Sequence, residues 1–346
     1  MTKNLLEKDL NHILYHTQLL WEELRNQHIF ITGGTGFFGC WLLESFVWAN
    51  DNFNLNARAT VLTRDPNQFK KKCPHLASHS AITFQLGDVR NFEFPTDSFS
   101  HIIHAATDAS AHSTATHPLH MLYPILEGTK HVLEFAKYCK APKFLLVSSG
   151  AVYGKQPEHI AQLAEDHPPS HLKSGYAIGK CAAEHISCLY ASLYGFEVKI
   201  ARCFAFVGPY LSLDANFAIG DFIREGLRNN PIQVNSNGTS CRSYLYAADL
   251  AIWLWTILFR GQSERFYNVG SDISISITEL ARLVARLTNS THEVAILQPS
   301  SNHKMPERYI PSIQRAANEL KLKPEITLPQ AIMSTIKWHK HSVIPA

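Results

Sequence analysis

The chain has 346 residues, 45% of them hydrophobic and 18% charged, and a formal net charge of +3. That length buries a large core, as one big α/β unit or as two domains. The charge is too small and too dispersed to indicate a nucleic-acid or membrane-surface partner, and no apolar run approaches the ~20 residues of a membrane span.

Residues 3–25 predict an amphipathic helix, with Leu5, Leu6, Leu10, Ile13, Leu14, Leu20, Trp21 and Leu24 near helical spacing. Such a helix either packs on the domain or forms an oligomer contact, and packing is the simpler reading. This N-terminus carries acids and has no signal-peptide apolar core or cleavage site. The seven cysteines (40, 73, 139, 181, 188, 203 and 241) are odd in number and never C-x-x-C. They read as reduced, small apolar residues, and the expected location is cytoplasmic. His101 and His104 flank an Ile-Ile strand, and His112, His117 and His120 lie in a loop-like stretch. None sits in H-E-x-x-H or beside a cysteine pair, so no metal site is expected.

The stretch Ile29-Phe30-Ile31-Thr32 reads as a buried strand and leads into Gly33-Gly34-Thr35-Gly36-Phe37-Phe38-Gly39 and a helix to about Trp48. Gly34, Gly36 and Gly39 satisfy G-x-G-x-x-G, and Gly33, Gly36 and Gly39 recur every third residue. Strand before and helix after is the context a dinucleotide site needs: a tight turn, backbone close to a pyrophosphate, and helix N–H groups facing it. Residues 52–56 are turn-like. Further strands are expected at 59–63, 82–86, 101–106, 143–149 and 197–202, with helices at 121–140 and 174–194. Short apolar strands alternating with helices predict a doubly wound parallel sheet. From Gly208 the rhythm loosens. A helix at 217–228, the turn at 235–238, a helix at 245–259, a strand at 266–270, a helix at 277–287 and a final mixture of turns and short helices make a smaller, mixed α/β part. The expected divisions are 1–25, 26–207 and 208–346, with sheet elements re-entered near 240–275.

Two clusters carry chemistry. Ser148-Ser149-Gly150-Ala151-Val152-Tyr153-Gly154 follows the strand at 143–149, at the edge where open α/β sheets bind ligands. Tyr176 and Lys180 are i and i+4 on one helix face. A phenol beside an ammonium is expected to have a lowered pKa and to exchange a proton with an alcohol or carbonyl. Ser149 is placed to hydrogen-bond the same oxygen.

With these residues in place, the chain resembles the extended short-chain dehydrogenase/reductase family of nucleotide-sugar epimerases, dehydratases and reductases. The resemblance runs over about residues 26–340 and includes Gly87-Asp88-Val89, His104-Ala105-Ala106, Gly128-Thr129, Arg202 to Pro209, Arg242 to Asp249 and Tyr267 to Gly270. It implies a Rossmann sheet and a set of roles. Gly33, Gly36, Phe37, Phe38 and Gly39 hold the pyrophosphate. Asp88 and Val89 receive the adenine, Ala105, Ala106 and Thr107 pass beside the nicotinamide ribose, and Phe204 lies near the nicotinamide. Ser149, Tyr176 and Lys180 are catalytic. Ser149, Asn216, Arg242 and Arg308 bind substrate. The resemblance also implies a homodimer through the helices at 121–140 and 174–194.

Departures sharpen the reading. An NAD-preferring member would carry an acid after the second strand; here Thr63-Arg64 stands there, which suits a 2′-phosphate and NADP, while Asp65 keeps NAD open. Ile125 and Ala205 replace asparagines common in the family. The Asp-Glu pair of the 4,6-dehydratases is Gly150-Ala151 here, so elimination of water is not expected. The reading is a nucleotide-sugar 4-keto reductase acting on a nucleoside-diphosphate (dTDP-type) 6-deoxy-4-ketohexose for glycan precursors. The alternatives are a 4-epimerase with tightly held NAD, and a dinucleotide-binding sensor without catalysis.

Overall fold

The computed structural model describes residues 4–107, 119–170, 172, 174–215, 217–298 and 306–342. Its strands are β1 His28–Thr32, β2 Arg58–Thr63, β3 Ile82–Leu86, β4 His101–His104, β5 Lys143–Ser149, β6 Glu197–Cys203, β7 Phe206–Val207, β8 Gln233–Val234, β9 Cys241–Arg242, β10 Leu245–Tyr246, β11 Arg265–Val269, β12 Ile275–Ser276, β13 Ala295–Ile296 and β14 Arg308–Tyr309. Its helices are α1 Glu7–Thr17, α2 Phe37–Phe53, α3 Pro66–Lys72, α4 Pro74–Ala77, α5 Leu119–Tyr138, α6 Gly175–Tyr194, α7 Ala218–Leu227, α8 Ala247–Arg260, α9 Ile277–Thr288, α10 Gln314–Leu320 and α11 Leu328–Ser342.

Seven parallel strands form the main sheet in the order β11-β6-β5-β4-β1-β2-β3. The β1 and β4 strands are wholly buried, as befits strands covered on both faces. The chain winds outward from β1 to β3, then returns to β4 and winds the other way. The crevice between the strand ends at β1 and β4 is therefore the topological switch point where such sheets bind ligands. Helices α5 and α6 pack together on one face, and α2 and α8 pack together on the other. From the C-terminal third, β11 adds itself to the sheet beside β6. The remaining strands make small pairings, β10-β7, β12-β9-β14 and β13-β8, beside α7, α9 and α11.

The N-terminal segment is not one helix over 3–25: α1 ends at Thr17 and a single 3-10 turn, Trp21–Leu24, follows. Thr17 Oγ1 bonds back to the Ile13 carbonyl and accepts the Trp21 indole N–H, a local alternative to the helical ladder. Leu10, Ile13, Trp21 and Leu24 are buried, and α1 rests on α8 and α2. Helix α2 runs past Trp48 to Phe53, because the left-handed stop is Asn54, at φ 48°. The segment 245–259 begins with two residues of strand pairing β10 to β7 before α8 starts. The last helix, α11, is longer than the expected short pieces; Pro329 sits in its first turn, where no N–H is needed.

Candidate active site

The glycine loop is shaped by close approaches. Gly33 has φ +73°, and a Cβ there would lie 2.5 Å from the Ala105 carbonyl carbon, so β1 and β4 pinch together at the switch point. A Cβ on Gly39 would lie 2.3 Å from Gly34, so the first turn of α2 sits on its own loop. Gly36 caps α2 with no side-chain acceptor, leaving the N–H groups of its first turn to an anion. These features fit a dinucleotide pyrophosphate. Val89 packs on Gly128 of α5, where a Cβ would come within 2.9 Å. Ala106 N–H bonds to Thr32 Oγ1 at 3.2 Å, which ties the end of β4 to β1. Thr107 follows directly.

At the end of β2, Arg64 is exposed and Thr63 buried. Asp65 caps α3: its Oδ1 accepts the Gln68 N–H at 2.9 Å. Asp88 is gripped by Arg90 through both carboxylate oxygens, at 2.7 and 3.1 Å. Arg90 holds its carboxyl below the ordinary value, and Arg64 adds to the effect.

The candidate catalytic residues gather where β5, α6 and β6 meet. Ser149 ends β5; its Oγ accepts the Ala151 N–H at 3.1 Å. Tyr176 lies in the first turn of α6, which Ser174 caps. Tyr176 and Lys180 are not a surface pair: Tyr176 is half-buried and Lys180 buried. The expectation of a lowered Tyr176 phenol is overturned in the free protein. Burial pushes it up, and its lowering partner is the Ser149 hydroxyl. The reason is geometric: Lys180 Nζ points to the Val147 carbonyl, at 2.8 Å. Burial brings the Lys180 ammonium down to about 8, against smaller opposing effects of Cys203 and Glu184. Ile125, where the family commonly has asparagine, packs on Gly179 of α6, where a Cβ would lie 3.2 Å from it, and so sets the seat of the catalytic helix.

Buried polar struts support the cluster. His104 bridges Thr32 at 2.8 Å and Thr129 at 3.1 Å, joining β1, β4 and α5. Burial keeps it neutral, with its pKa brought down to about 3. Glu184, four residues beyond Lys180, accepts from Ser148 at 2.6 Å and from Arg202 at 2.8 Å. Arg202 also donates to Tyr153 Oη at 3.0 Å, and Tyr153 donates to Asn268 at 2.7 Å. This chain fastens β5, β6, β11 and α6 to one another beneath the reacting groups.

On the substrate side, β9 and β14 lie side by side, with Arg308 opposite Cys241 and Tyr309 opposite Arg242. This brings Arg242 and Arg308 onto adjacent strands. An open cleft of about 850 Å³ runs beside them, lined by Phe222, Arg224, Gln233, Asn235, Ser240 and Arg242 among others. Asn216 lies outside the described residues. Phe204 forms a wall with Tyr309, ring centroids 4.7 Å apart. Gly150 is locked by that wall: a Cβ there would lie 2.6 Å from the Tyr309 hydroxyl and 2.7 Å from the Phe204 ring. An acidic side chain at 150 has no room while Tyr309 and Phe204 stand where they do. Sequence reasoning missed Tyr309, which is adjacent to Arg308 in a two-residue strand with no periodic signal of its own.

Comparison with known proteins agrees with this fold. The family model described as "NAD dependent epimerase/dehydratase family" matches residues 29–270. The chain belongs to that family. Among curated proteins it is 27% identical over 316 residues to UDP-glucuronic acid decarboxylase 5 of Arabidopsis thaliana, covering 89% of this chain and 87% of that one. It is 28% identical over 327 residues to UDP-glucuronate 4-epimerase of Thermodesulfobacterium geofontis, covering 90% and 96%. The solved UDP-glucose 4-epimerase of Thermotoga maritima with UDP-glucose superposes with a TM-score of 0.80 at 19% identity, over 92% of this chain and 100% of that chain. Among the described residues, no helix of this family member is long and apolar enough to cross a membrane.

Proposed function

We propose that the protein is an NADP-dependent reductase of a nucleoside-diphosphate 6-deoxy-4-ketohexose. The observation that carries this reading is an exposed Arg64 at the end of β2, followed by an Asp65 that caps α3. The side chain facing a ribose 2′ position is then a cation, which favours a 2′-phosphate. A freely exchanging NADPH suits a reductase, whereas an epimerase must retain its nucleotide between half-reactions.

The glycine loop would hold the pyrophosphate, Asp88 and Val89 the adenine, and Ala105, Ala106 and Thr107 the nicotinamide ribose, with Phe204 near the nicotinamide. When bound, the nicotinamide supplies the hydride for C4. Tyr176 gives its proton to the C4 oxygen, and Ser149 donates a hydrogen bond to that oxygen as charge develops. Lys180, buried beneath Tyr176, holds ribose hydroxyls and keeps a positive charge under the site. Arg242 and Arg308 grip the diphosphate as planar forks, and the cleft beside Arg242 has the size of a nucleoside site. Gly150 and Ala151 supply neither acid nor base, so the hydroxyls of the sugar are not eliminated.

A second reading, 4-epimerisation with retained NAD, is favoured by the similarity to UDP-glucuronate 4-epimerase. A cytoplasmic homodimer is part of the proposal: Tyr123, Tyr138, Leu189 and Leu193 are exposed apolar side chains on α5 and α6. Light scattering after gel filtration should give twice the chain mass. The deciding experiment is to denature the purified protein, identify any released dinucleotide, and titrate NADPH and NADH into the apo form. Little retained nucleotide and a preference for NADPH support the reductase. Stoichiometric retained NAD would overturn the role given to Arg64 and favour the epimerase.

A further inference from the structure

The glycine loop ends where α2 begins, and the first turn of α2 has no side-chain cap for its N–H groups. Inside the loop, the Thr35 carbonyl takes a bond from far along the chain: Lys72 Nζ donates to it at 2.9 Å. The sequence around Lys72 delivers it there. Pro74 disfavours helical backbone at Cys73, which sits at φ −139° and ψ 68°, so α3 ends at Lys72 and α4 starts afresh at Pro74. The junction of the two helices is then fastened along α2. Cys73 Sγ lies 4.0 Å from Cys40 Sγ, and His75 Nε2 lies 2.7 Å from Glu44 Oε1. Tyr210 donates to the same Glu44 oxygen, and the Lys72 ammonium stands 6.0 Å from the Tyr210 ring centroid. Cys40, Cys73 and Glu44 are buried, so the junction is held in register with α2. Lys72 itself is exposed, and among the described residues no carboxylate pairs with its ammonium.

We propose that Lys72 is a positioning residue for the cofactor: its bond to the Thr35 carbonyl holds the glycine loop in the shape that receives the dinucleotide pyrophosphate, and its ammonium adds positive charge beside the start of α2. This rests on the reading of the loop as the dinucleotide site.

Two physical effects combine. Residues 33–39 contain four glycines, so the loop has many backbone states open to it. A ligand that needs one of those states binds with an affinity reduced by the fraction of time the loop spends there. A charge-assisted bond to a carbonyl inside the loop raises that fraction. The ammonium also lies next to a helix end whose unpaired N–H groups already favour an anion, and it keeps two donors beyond the one given to Thr35. Both effects act on the pyrophosphate, which NADH and NADPH share. Arg64, in contrast, is assigned to the 2′ position that separates them.

The test is Lys72→Met, which keeps the length of the side chain and removes its charge and donors, with Lys72→Arg and Lys70→Met beside it. In the cofactor-free protein, hydrogen exchange at Gly36, whose N–H bonds to the Gly33 carbonyl at 3.1 Å, is expected to quicken severalfold in Lys72→Met. Dissociation constants for NADPH and NADH, read by fluorescence titration, are both expected to rise about tenfold, the order of one charge-assisted bond at an exposed site. Lys72→Arg should restore both to within about twofold, because it keeps a charged donor. Lys70→Met, on the same helix, should change neither. Unchanged constants in Lys72→Met, a loss confined to NADPH, no rescue by arginine, or an equal loss in Lys70→Met would each overturn the proposal. None of these readouts needs turnover. A protein that reduces no nucleotide sugar, or that prefers NADH, contradicts the proposed function, while exchange at Gly36 and the two constants still decide the role of Lys72.

Discussion

The two ends of the central sheet bury the same kinds of side chain and treat them differently. At the lower end, where the strands begin, Lys143 is bridged to Glu23 at 2.5 Å, Arg260 meets the same carboxylate, and the buried Lys199 is paired with Glu197. At the upper end, Lys180 is equally buried but points to a backbone carbonyl, that of Val147. The lower charges are each matched within the fold. The upper ones are held in place but left with chemistry to do. Perturbed groups gather at functional sites for this reason, and the lower cluster shows that burial of a lysine alone is not the signal. The distinguishing feature is a charge that has no carboxylate of its own.

The comparison breaks most visibly at Tyr176. Tyr176→Phe is expected to lower kcat by about 10³-fold, within the range of general acid catalysis, while cofactor affinity by fluorescence titration is unchanged. Loss of cofactor binding together with turnover would mean that the phenol holds the fold of the site rather than moving a proton.

Paired lysine changes sharpen the contrast. Lys180→Met should lose both turnover and NADPH affinity. Lys199→Met should leave both unchanged and shift stability by no more than about 1 kcal/mol, because an apolar replacement removes a burial cost and the remaining Glu197 is 52% exposed. Kinetics and urea melts on the two variants read this directly. Equal losses in both would erase the distinction between the two ends.

At the cofactor rim, Arg64→Ala should reduce the preference for NADPH over NADH by about tenfold to a hundredfold, the worth of a charge-assisted bond. Asp65→Asn should leave that preference alone and act only on the α3 cap, measured by dissociation constants for both nucleotides. A larger effect of Asp65 would point to NAD.

A smaller effect makes the two ends behave alike. Neutral, buried His104 at the upper end and His101 at the lower end have folded pKa values of about 3 and about 4, against 6.5 for a free imidazole. The unfolded chain binds these protons first, so folding stability rises with pH through that window and is lost as pH falls from 6.5. The slope is up to about 1.4 kcal/mol per pH unit for each histidine. Urea melts across the window, repeated on His104→Gln, should show the slope reduced by the share of one group.

Much of this was legible in the chain itself. Gly33, Gly36 and Gly39 between a buried strand and a helix, Ser149 after an apolar strand, and Tyr176 with Lys180 at helical spacing are local patterns with local causes. They led to the Rossmann sheet and to the candidate trio Ser149, Tyr176 and Lys180. What escaped had non-local causes. The break of α1 at Thr17 comes from an indole four residues on, and the Tyr176 phenol is raised by burial while Lys180 faces a strand carbonyl and does not lower it. Gly150 could be read as lacking an acid, but only the fold shows that Tyr309 and Phe204, distant in sequence, forbid one. Short strands such as β9 and β14 carry too few residues to show a period.

The most direct test of the central claim is to mix the protein with NADPH and a nucleoside-diphosphate 6-deoxy-4-ketohexose and follow both the nicotinamide absorbance and the sugar by NMR. The account predicts that NADPH is consumed in step with formation of a single C4 alcohol, and that Tyr176→Phe binds NADPH without consuming it. A sugar interconverted between two C4 epimers with no net NADPH consumed would contradict it.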